Sequence, residues 1–280
     1  MYKIKQTPED FIVTEINNVK IQDGAYTYFV LKKKNQTTLH AIQEISRRTG
    51  IPLREFGYAG NKDKNAITEQ TCSVRGNIRI EGMIGTGKTP ISLGQHNGNR
   101  FAIIVRNITE KPKIHTEFVN YYGEQRFGTR NAELGKLILL GKWNEAAEKL
   151  VMTKEEFKQQ PLKLLKLYVN AYQSLLWNKM ASECTHDEAP VIGFGTEETD
   201  EVRKVLSEEG ITLRNFIVKE LTHLSAEGQM RKRLATAKDL KVGELEDDEL
   251  NTGMKKITLE FTLEPGSYAT EFIRQNFESN

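Results

Sequence analysis

Residues 57–70 read G-Y-A-G-N-K-D-K-N-A-I-T-E-Q, and this stretch predicts a turn that leads directly into a β-strand. Gly57, Gly60 and Asn61 indicate the turn, because glycine and asparagine readily adopt the backbone angles of tight turns. From residue 67 onward the side chains alternate between two faces, as they do in a strand. One face carries Ile67, Glu69, Thr71 and Ser73, and the other carries Thr68, Gln70, Cys72 and Val74.

Asp63 stands in this turn between two cations, Lys62 and Lys64. Neighbouring positive charge favours the ionised form of a carboxyl group, and the same cations can hold a phosphate chain beside it. Such an Asp is suited to act as a nucleophile on RNA without a cofactor. The simpler interpretation is a solvated turn tip, in which the Asp side chain bonds its own backbone. The turn by itself leaves both interpretations open.

The composition is that of an ordinary globular protein and excludes the disordered and fibrous classes. The 280 residues are 38% hydrophobic and 28% charged, enough for one large domain or two ordinary ones. The N-terminus has no apolar run and no apolar stretch reaches spanning length, so we expect no signal peptide and no membrane partner. Cys72 and Cys184 match no metal-ligand spacing, which predicts reduced thiols in a cytoplasmic protein.

The net charge of +2 is unevenly divided along the chain. Residues 1–130 contain 20 Lys and Arg against 12 Asp and Glu, a net of +8. Residues 131–280 contain 20 against 26, a net of −6. Because a basic region is typical of a surface that binds a polyanion, we expect the first half of the chain to face nucleic acid.

The order of the predicted elements favours an α+β fold. Alternation predicts strands over residues 11–16, 26–31, 77–81, 101–107 and 256–263. Helical spacing predicts helices over 38–49, through most of 131–183, over 199–209 and from 267 to 277. This order predicts a mixed, mostly antiparallel sheet with a helical insertion. The last strand is expected in the first sheet, because its apolar face must be buried.

Residues 82–89, G-M-I-G-T-G-K-T, match the phosphate-binding pattern G-x-x-x-x-G-K-[ST]. That chemistry requires a helix that opens at the Lys-Thr pair, so that its first amides bind the phosphates. Pro90 and Gly94 follow here before any helix is able to form. We interpret the segment as a flexible basic loop with Lys88 near RNA phosphate, and keep a P-loop nucleotidase as an alternative.

Five segments in order resemble motifs of the TruD family of pseudouridine synthases. The Asp63 turn, residues 60–70, is similar to the family signature G-x-K-D-x-x-A-x-T-x-Q. The other four are 4–13 (x-K-x-x-P-E-D-F-x-V), 94–107 (G-x-x-x-G-N-x-F-x-I-x-x-R-N), 120–128 (N-Y-F-G-x-Q-R-F-G) and 264–274 (P-x-G-S-Y-A-T with a later Arg). A weaker match at 170–178 resembles the family helix S-A-x-x-S-x-x-x-N.

The resemblance implies a pseudouridine-synthase catalytic domain made of residues 1–130 and 236–280, with a helix-rich TRUD-type domain inserted at 131–235. It implies an isomerase that converts uridine to pseudouridine in tRNA, usually at position 13 of the D arm, without nucleotide, redox cofactor or metal. One departure is that only Cys184–Ala189 separates the long helix from the Pro190 loop, a segment that is usually longer in the family. The alternatives are a catalytically silent RNA-binding protein of the same fold and the nucleotidase, and the oligomeric state stays open.

The resemblance also implies residue roles. Asp63 matches the essential Asp of the family, and Lys5 matches a basic residue that would keep it ionised and oriented. The target base must be flipped out of its stack before any nucleophile reaches it. Tyr122, where the family usually has Phe, would stack on this base, and Asn120 would read the uracil edge. Candidates for phosphate and structural contacts are Lys62, Lys64, Lys88, Arg106 and Arg126.

Overall fold

The structure, a computed structural model, describes residues 1–278 and contains two compact units. Unit 1 is Met1–Thr116 with Thr236–Asn280, and unit 2 is Glu117–Ala235. Unit 2 therefore interrupts unit 1 in sequence. It begins earlier than the predicted residue 131, because a strand that starts at Glu117 pairs with a strand near residue 235. The functional names of the two domains stay predictions.

Strands dominate unit 1 and helices dominate unit 2. In chain order the strands are β1 (Phe11–Ile16), β2 (Tyr26–Lys34), β3 (Phe56–Tyr58), β4 (Ile67–Arg75), β5 (Met83–Gly87), β6 (Gly98–Ile108), β7 (Glu117–Val119), β8 (Glu188–Val191), β9 (Gln229–Lys232), β10 (Leu234–Thr236), β11 (Lys238–Val242), β12 (Glu246–Asp247) and β13 (Lys255–Leu263). The α-helices are α1 (Thr38–Thr49), α2 (Asn131–Leu139), α3 (Trp143–Glu148), α4 (Lys154–Lys158), α5 (Leu162–Glu183), α6 (Asp200–Glu209) and α7 (Ala269–Phe277).

Unit 1 is built on a nine-stranded sheet with the order β11-β13-β6-β1-β4-β2-β5, to which β12 adds at β13 and β3 adds at β4. The mixed, mostly antiparallel sheet is confirmed, since β1 and β4 are parallel and their other neighbours run antiparallel. The last strand lies in this sheet as predicted, with Phe261 of β13 opposite Phe101 of β6. Helix α7 covers the pair, and the Phe272 ring lies 4.5 Å from that of Phe261.

Helix α1 occupies the crossover that a parallel β1–β4 pair requires. It begins after Thr37, whose side chain accepts a hydrogen bond from the His40 amide, and it ends at Gly50 with φ of 73°. Its apolar face buries Ile42 against Phe29 of β2 and Val74 of β4. Burying each such side chain contributes about 1.5–3 kcal/mol, so this layer fixes the position of β4 beside β2.

Helix α5 forms the centre of unit 2, with Tyr172 and Trp177 almost completely buried. Helix α2 packs closely against it at Gly135. A Cβ atom on Gly135 would lie 2.1 Å from the carbonyl oxygen of Tyr168, so only glycine permits this approach. A two-stranded sheet of β8 and β9 completes the unit beside the β7–β10 pair.

The strand predicted over residues 77–81 does not form. Gly76 has φ of +105°, a left-handed conformation that ends β4, and the next residues make no strand pairing. The apolar alternation has another cause, because Ile78 and Ile80 both pack against the buried residues around α1. The amide of Ile78 donates instead to the Thr27 hydroxyl at 3.0 Å.

Residues 82–89 form neither a P-loop nor the flexible loop that we predicted, because β5 pairs with β2 along this segment. The glycines of this segment allow it to pack closely against β2. A Cβ on Gly82 would lie 2.5 Å from the carbonyl oxygen of Val30, and one on Gly87 would lie 2.3 Å from the Tyr28 ring. Residues 88–97 contain no helix, so no helix N-terminus follows the glycines. This contradicts the nucleotidase alternative.

Candidate active site

The turn that carries Asp63 lies at the N-terminal end of β4, between the neighbouring strands β1 and β2. Two buried polar side chains hold it. The Thr38 hydroxyl accepts a hydrogen bond from the Lys62 amide at 3.0 Å and donates to Gln70 Oε1 at 2.8 Å. Gln70 Nε2 then donates to the carbonyl oxygen of Gly60 at 3.0 Å. The start of α1 and strand β4 therefore fix the backbone that leads into Asp63.

Lys5 and Asp63 form an ion pair across 58 residues of sequence, with Lys5 Nζ 2.8 Å from Asp63 Oδ2. Both side chains keep partial exposure, 16% for Lys5 and 22% for Asp63, so solvent reaches the pair. Lys5 has φ of 57°, which costs a residue with a side chain about 1–2 kcal/mol. Its ammonium lies 4.0 Å from the centre of the Phe11 ring, a cation–π contact that supports this position.

Lys62 and Lys64, which flank Asp63 in sequence, have different surroundings. The Lys62 ammonium points into the fold, 2.7 Å from Glu15 Oε2 and 2.8 Å from Asn99 Oδ1. The Lys62 side chain is 8% exposed and that of Glu15 is fully buried, so this cation is used within unit 1 and does not face phosphate. Lys64 is exposed and stays a candidate for phosphate contact.

Lys33, at the end of β2, is a site residue that the sequence analysis missed. Its ammonium donates to the backbone carbonyl oxygen of Asp63 at 2.7 Å, and the residue is 5% exposed. Burial lowers the pKa of Lys33 to about 8, against the attraction of Asp63, which raises it. The strand was predicted to end at Leu31, and only continued alternation through Lys33 would have indicated that this lysine points inward.

The Arg106 guanidinium is buried and forms ion pairs within unit 1, so it does not face phosphate. This corrects the prediction that Arg106 binds substrate. Its guanidinium donates to Asp10 at 2.9 Å, to Asp248 at 2.8 Å and to Glu249 at 3.0 Å, and its side chain is 4% exposed. Burial lowers the pKa of Arg106, but the hydrogen bonds to Glu249, Asp10 and Asp248 outweigh this effect and hold it above its ordinary value. The cluster joins three distant segments of unit 1.

Lys88, the last basic candidate in unit 1, follows strand β5 and is exposed. Lys88 directly follows a paired strand and does not lie in the flexible loop that we expected. Its side chain is nevertheless exposed. Contact with RNA phosphate stays a prediction for this residue.

Asn120 lies in unit 2 and is 7% exposed. Its amide N–H donates to the carbonyl oxygen of Arg233 at 2.7 Å, and its Nδ2 donates to that of Lys232 at 3.3 Å. Its Oδ1 is buried and accepts no hydrogen bond from any residue in the described range 1–278. A buried acceptor without a donor is costly, and such an atom is suited to receive a hydrogen bond from a ligand.

Tyr122 is held on several sides within unit 2. Asn178 accepts a hydrogen bond from the Tyr122 amide and donates to its carbonyl, both at 2.9 Å. The Trp177 ring meets the Tyr122 ring edge-on at 5.6 Å, and the Arg231 guanidinium lies 4.1 Å from its centre. Arg126 lies farther from this ring, at 5.7 Å, and donates to the Ser174 hydroxyl at 3.2 Å.

Arg231 is a second residue that the sequence analysis missed. Besides its contact with Tyr122, it donates to the Asn120 carbonyl oxygen at 2.9 Å and lies 5.0 Å from the Trp177 ring centre. It therefore links the backbone of Asn120 to the ring of Tyr122. The only signal in the sequence was the basic run at residues 231–233, which does not indicate where each side chain points.

No helix within residues 1–278 combines the length and apolar character needed to cross a membrane. Over the same residues, no group of three or more His, Cys, Asp or Glu side chains is arranged to hold a metal ion. Cys72 and Cys184 are both buried free thiols, and burial raises the pKa of Cys72 above its ordinary range.

The comparison with protein families gives a match that covers most of the chain. The sequence model of the family described as tRNA pseudouridine synthase D (TruD) matches residues 2–160 and 189–276. The chain belongs to the TruD family. Pseudouridine synthases are isomerases, so the chain belongs to a family of isomerases.

Individual TruD proteins support the assignment along nearly the whole chain. The sequence is 30% identical to a Methanocaldococcus jannaschii protein named "Probable tRNA pseudouridine synthase D 2", over 98% of this chain and 91% of that protein. It is 28% identical to the tRNA pseudouridine synthase D of Aquifex aeolicus, over 99% and 98%. A crystal structure of a Methanosarcina mazei protein that carries the TruD name matches with a TM-score of 0.77, over 99% of this chain and 93% of that one. Its identity is 23%, so this likeness concerns the fold alone.

TruD relatives contain residues that this chain lacks. The alignment with the Methanocaldococcus protein spans 392 positions against a chain of 280 residues, so at least 112 positions are filled only in the relative. The family model leaves residues 161–188 unmatched. This range contains nearly all of Cys184–Ala189, the segment expected from the sequence to be short.

Proposed function

We propose that this protein converts a uridine of tRNA to pseudouridine, with Asp63 as the group that acts on the reacting nucleotide. The ion pair between Lys5 and Asp63 carries the proposal. It supports an ionised, oriented carboxylate that remains partly exposed in a turn held by buried side chains. The resemblance of both residues to family motifs assigns this chemistry to them.

The reaction breaks the bond between ribose C1′ and uracil N1, and forms a bond between C1′ and uracil C5. The C5 proton leaves and N1 gains a proton, so atoms balance and the oxidation state is unchanged. A carboxylate suffices for such a step, either by adding covalently or by assisting glycosidic cleavage. Lys5 contributes by donating a hydrogen bond to Oδ2 of Asp63 at 2.8 Å, which fixes this oxygen.

We assign recognition of the base to Asn120 and Tyr122. The buried Oδ1 of Asn120 fits a hydrogen-bond donor such as the N3–H of uracil. The fixed ring of Tyr122 fits a stacking role, which is worth about 1–3 kcal/mol per base in comparable contacts. Stacking would replace part of the energy lost when the base is flipped out of the RNA.

Lys64 and Lys88 are the exposed cations of unit 1 that we propose for contact with RNA phosphate. We further propose the D arm of tRNA, at uridine 13, as the target, because this is the usual target in the family that the chain resembles. A cytoplasmic location fits a tRNA substrate and stays part of the proposal.

The test is carbodiimide-based mapping of pseudouridine in an unmodified tRNA transcript after incubation with the protein, without added nucleotide or metal. Wild type should give a new stop at one D-arm uridine. Asp63→Asn, which keeps the shape of the side chain but removes its charge, should give none and should bind the transcript within a few-fold of wild type. Asp23→Asn, an exposed control, should match wild type.

Two results would contradict the proposal. Full activity in Asp63→Asn would show that another group performs the chemistry. Tight binding of the transcript by wild type without product, on this transcript and on total cellular RNA, would favour the catalytically silent RNA-binding protein.

A further inference from the structure

Lys33 is a buried cation without a carboxylate partner. It is 5% exposed, and within residues 1–278 no Asp or Glu oxygen lies within ion-pair distance of its ammonium. Leaving a charge buried and unpaired is expensive, so proteins seldom retain one without a use. The one hydrogen bond that the Lys33 ammonium makes to the described residues is the 2.7 Å contact to the backbone carbonyl oxygen of Asp63.

The neighbours of Lys33 on β2 point elsewhere and have their own partners. Lys32 pairs with Glu69 at 2.7 Å, and Lys34 pairs with Glu9. Across the ladder, Lys33 lies opposite Thr68 of β4, which does not titrate. The charged groups that act on the Lys33 ammonium are Asp63, which attracts it, and Lys62, which repels it. Lys33 is therefore directed at the turn that carries the candidate nucleophile.

From this geometry we infer that Lys33 is a positioning residue, whose ammonium anchors the Asp63 peptide and so holds the carboxylate at the angle that the reaction needs. Lys5 fixes the side-chain end of Asp63 through Oδ2, and Lys33 fixes the backbone end through the carbonyl oxygen. The two contacts together leave the residue little freedom of rotation. This inference rests on the proposed function, because it gives Lys33 a purpose only if Asp63 performs the chemistry.

The charge of Lys33 strengthens this anchor. A hydrogen bond from an ammonium is roughly twice as strong as one from a neutral donor. Burial lowers the pKa of Lys33 to about 8, so the cation is present at neutral pH and is lost as the pH rises through that value. A rate that depends on the Lys33 charge must therefore fall above about pH 8.

The experiment measures the single-turnover rate of C5 tritium release from a D-arm tRNA transcript that carries tritiated uridine. Joining C5 to the ribose expels this hydrogen, so its release reports the chemical step. Lys33→Met removes the ammonium but keeps the stem, and it should lower the rate about 10–100-fold, since displacements of about 1 Å cost rates of that order. Its affinity for the transcript should stay within about threefold of wild type. Lys32→Met, the exposed neighbour, is the matched control.

The pH profile separates positioning from a merely structural role. The wild-type rate should fall as the pH rises through about 8. Lys33→Arg keeps a charge that does not titrate, so it should recover part of the rate and lose this decline. Circular dichroism would reveal whether Lys33→Met fails to fold. In that case the pH profiles of wild type and Lys33→Arg still test whether Lys33 positions Asp63.

The inference is wrong if folded Lys33→Met keeps the wild-type rate, or if Lys33→Arg declines above pH 8 as wild type does. These results differ from failure of the proposed function, which is seen when Asp63→Asn remains active. An inactive Asp63→Asn together with a fully active Lys33→Met would show that Asp63 is needed for the reaction and that Lys33 does not position it.

Discussion

Lys62 and Lys64 are two residues apart, yet only Lys64 is exposed. The Lys62 ammonium is committed to the buried Glu15 carboxylate, whereas Lys64 is exposed. A buried ion pair adds little net stability, but removal of one partner leaves an uncompensated charge. The two lysines beside Asp63 should therefore respond to substitution in different ways.

We expect Lys62→Met to destabilise the protein by about 3–5 kcal/mol, because Glu15 is left buried without its cation. Lys64→Met should leave stability within about 0.5 kcal/mol and weaken tRNA binding, with a salt slope reduced by about one if it contacts one phosphate. Urea unfolding and binding titrations over a range of salt concentrations measure the two effects. A stable Lys62→Met, or an unchanged salt slope in Lys64→Met, would contradict these assignments.

At the scale of elements, local signals predicted most helices and strands well. Helix α1 has the predicted bounds, 38–49, because its N-cap and its terminal glycine are both encoded locally. Strand β13 agrees within one residue with the predicted 256–263, since strict alternation marks it. Strand β2 was predicted three residues too short, because Lys32–Lys34 break the apolar pattern while their backbone continues to pair with β4. Pairing, which is a tertiary contact, decided that boundary.

The glycines of residues 82–89 give a prediction at the same scale. Gly87→Ala should destabilise the protein by about 1–3 kcal/mol, because the new Cβ would overlap the Tyr28 ring of β2. Gly60→Ala is the control, since among the described residues no atom beyond Gly60 and its two chain neighbours lies within 4 Å of its Cβ position. Thermal unfolding measures both, and added nucleotide should shift neither midpoint. Stabilisation of wild type by ATP and Mg²⁺ would restore the nucleotidase interpretation.

At the scale of the whole molecule, the sequence division of charge does not follow the two units. Unit 1 has 23 Lys and Arg against 20 Asp and Glu, and unit 2 has 17 against 18. The acidic segment after residue 236 returns to unit 1 and cancels much of its positive charge. Several of its carboxylates pair with nearby lysines, as Asp247 does with Lys255 at 2.6 Å. The expectation that the first half of the chain presents a basic surface is therefore too simple.

The Arg106 cluster predicts how the stability of unit 1 depends on pH. Burial raises the pKa of Asp248, but the hydrogen bonds that it accepts, from the Asn107 amide first and from Arg106 least, outweigh burial and lower this pKa to about 2. The hydrogen bond from Arg106 is the largest cause that lowers the pKa of Glu249 to about 2. A carboxyl group whose pKa is lower in the folded state stabilises the fold above its unfolded pKa, which is about 4. That contribution is lost as the pH falls through the folded value. The free energy of unfolding should therefore decrease between about pH 4 and pH 2.

Asp248→Asn should remove part of this acid dependence and destabilise the protein by about 1.5–3 kcal/mol at neutral pH, the usual contribution of hydrogen bonds to a charged group. The measurement is hydrogen exchange of the β6 and β13 amides, because both tryptophans, Trp143 and Trp177, lie in unit 2. Asp23→Asn is the exposed control. An Asp248→Asn variant with the wild-type acid dependence would show that other groups cause it.

The sequence by itself determined the family and the existence of most elements, and it predicted Asp63 as the candidate nucleophile, because motifs, caps and alternation are local properties of the chain. The resemblance predicted that Lys5 lies beside Asp63, but only the tertiary structure decided which other cations contact Asp63. Lys5 reaches its carboxylate from 58 residues away and Lys33 reaches its carbonyl oxygen from 30, while the adjacent Lys62 turns toward Glu15. The physical reason is that charge in a sequence carries no direction. Strand register and burial decide which way a side chain points, and both are set by contacts between distant segments.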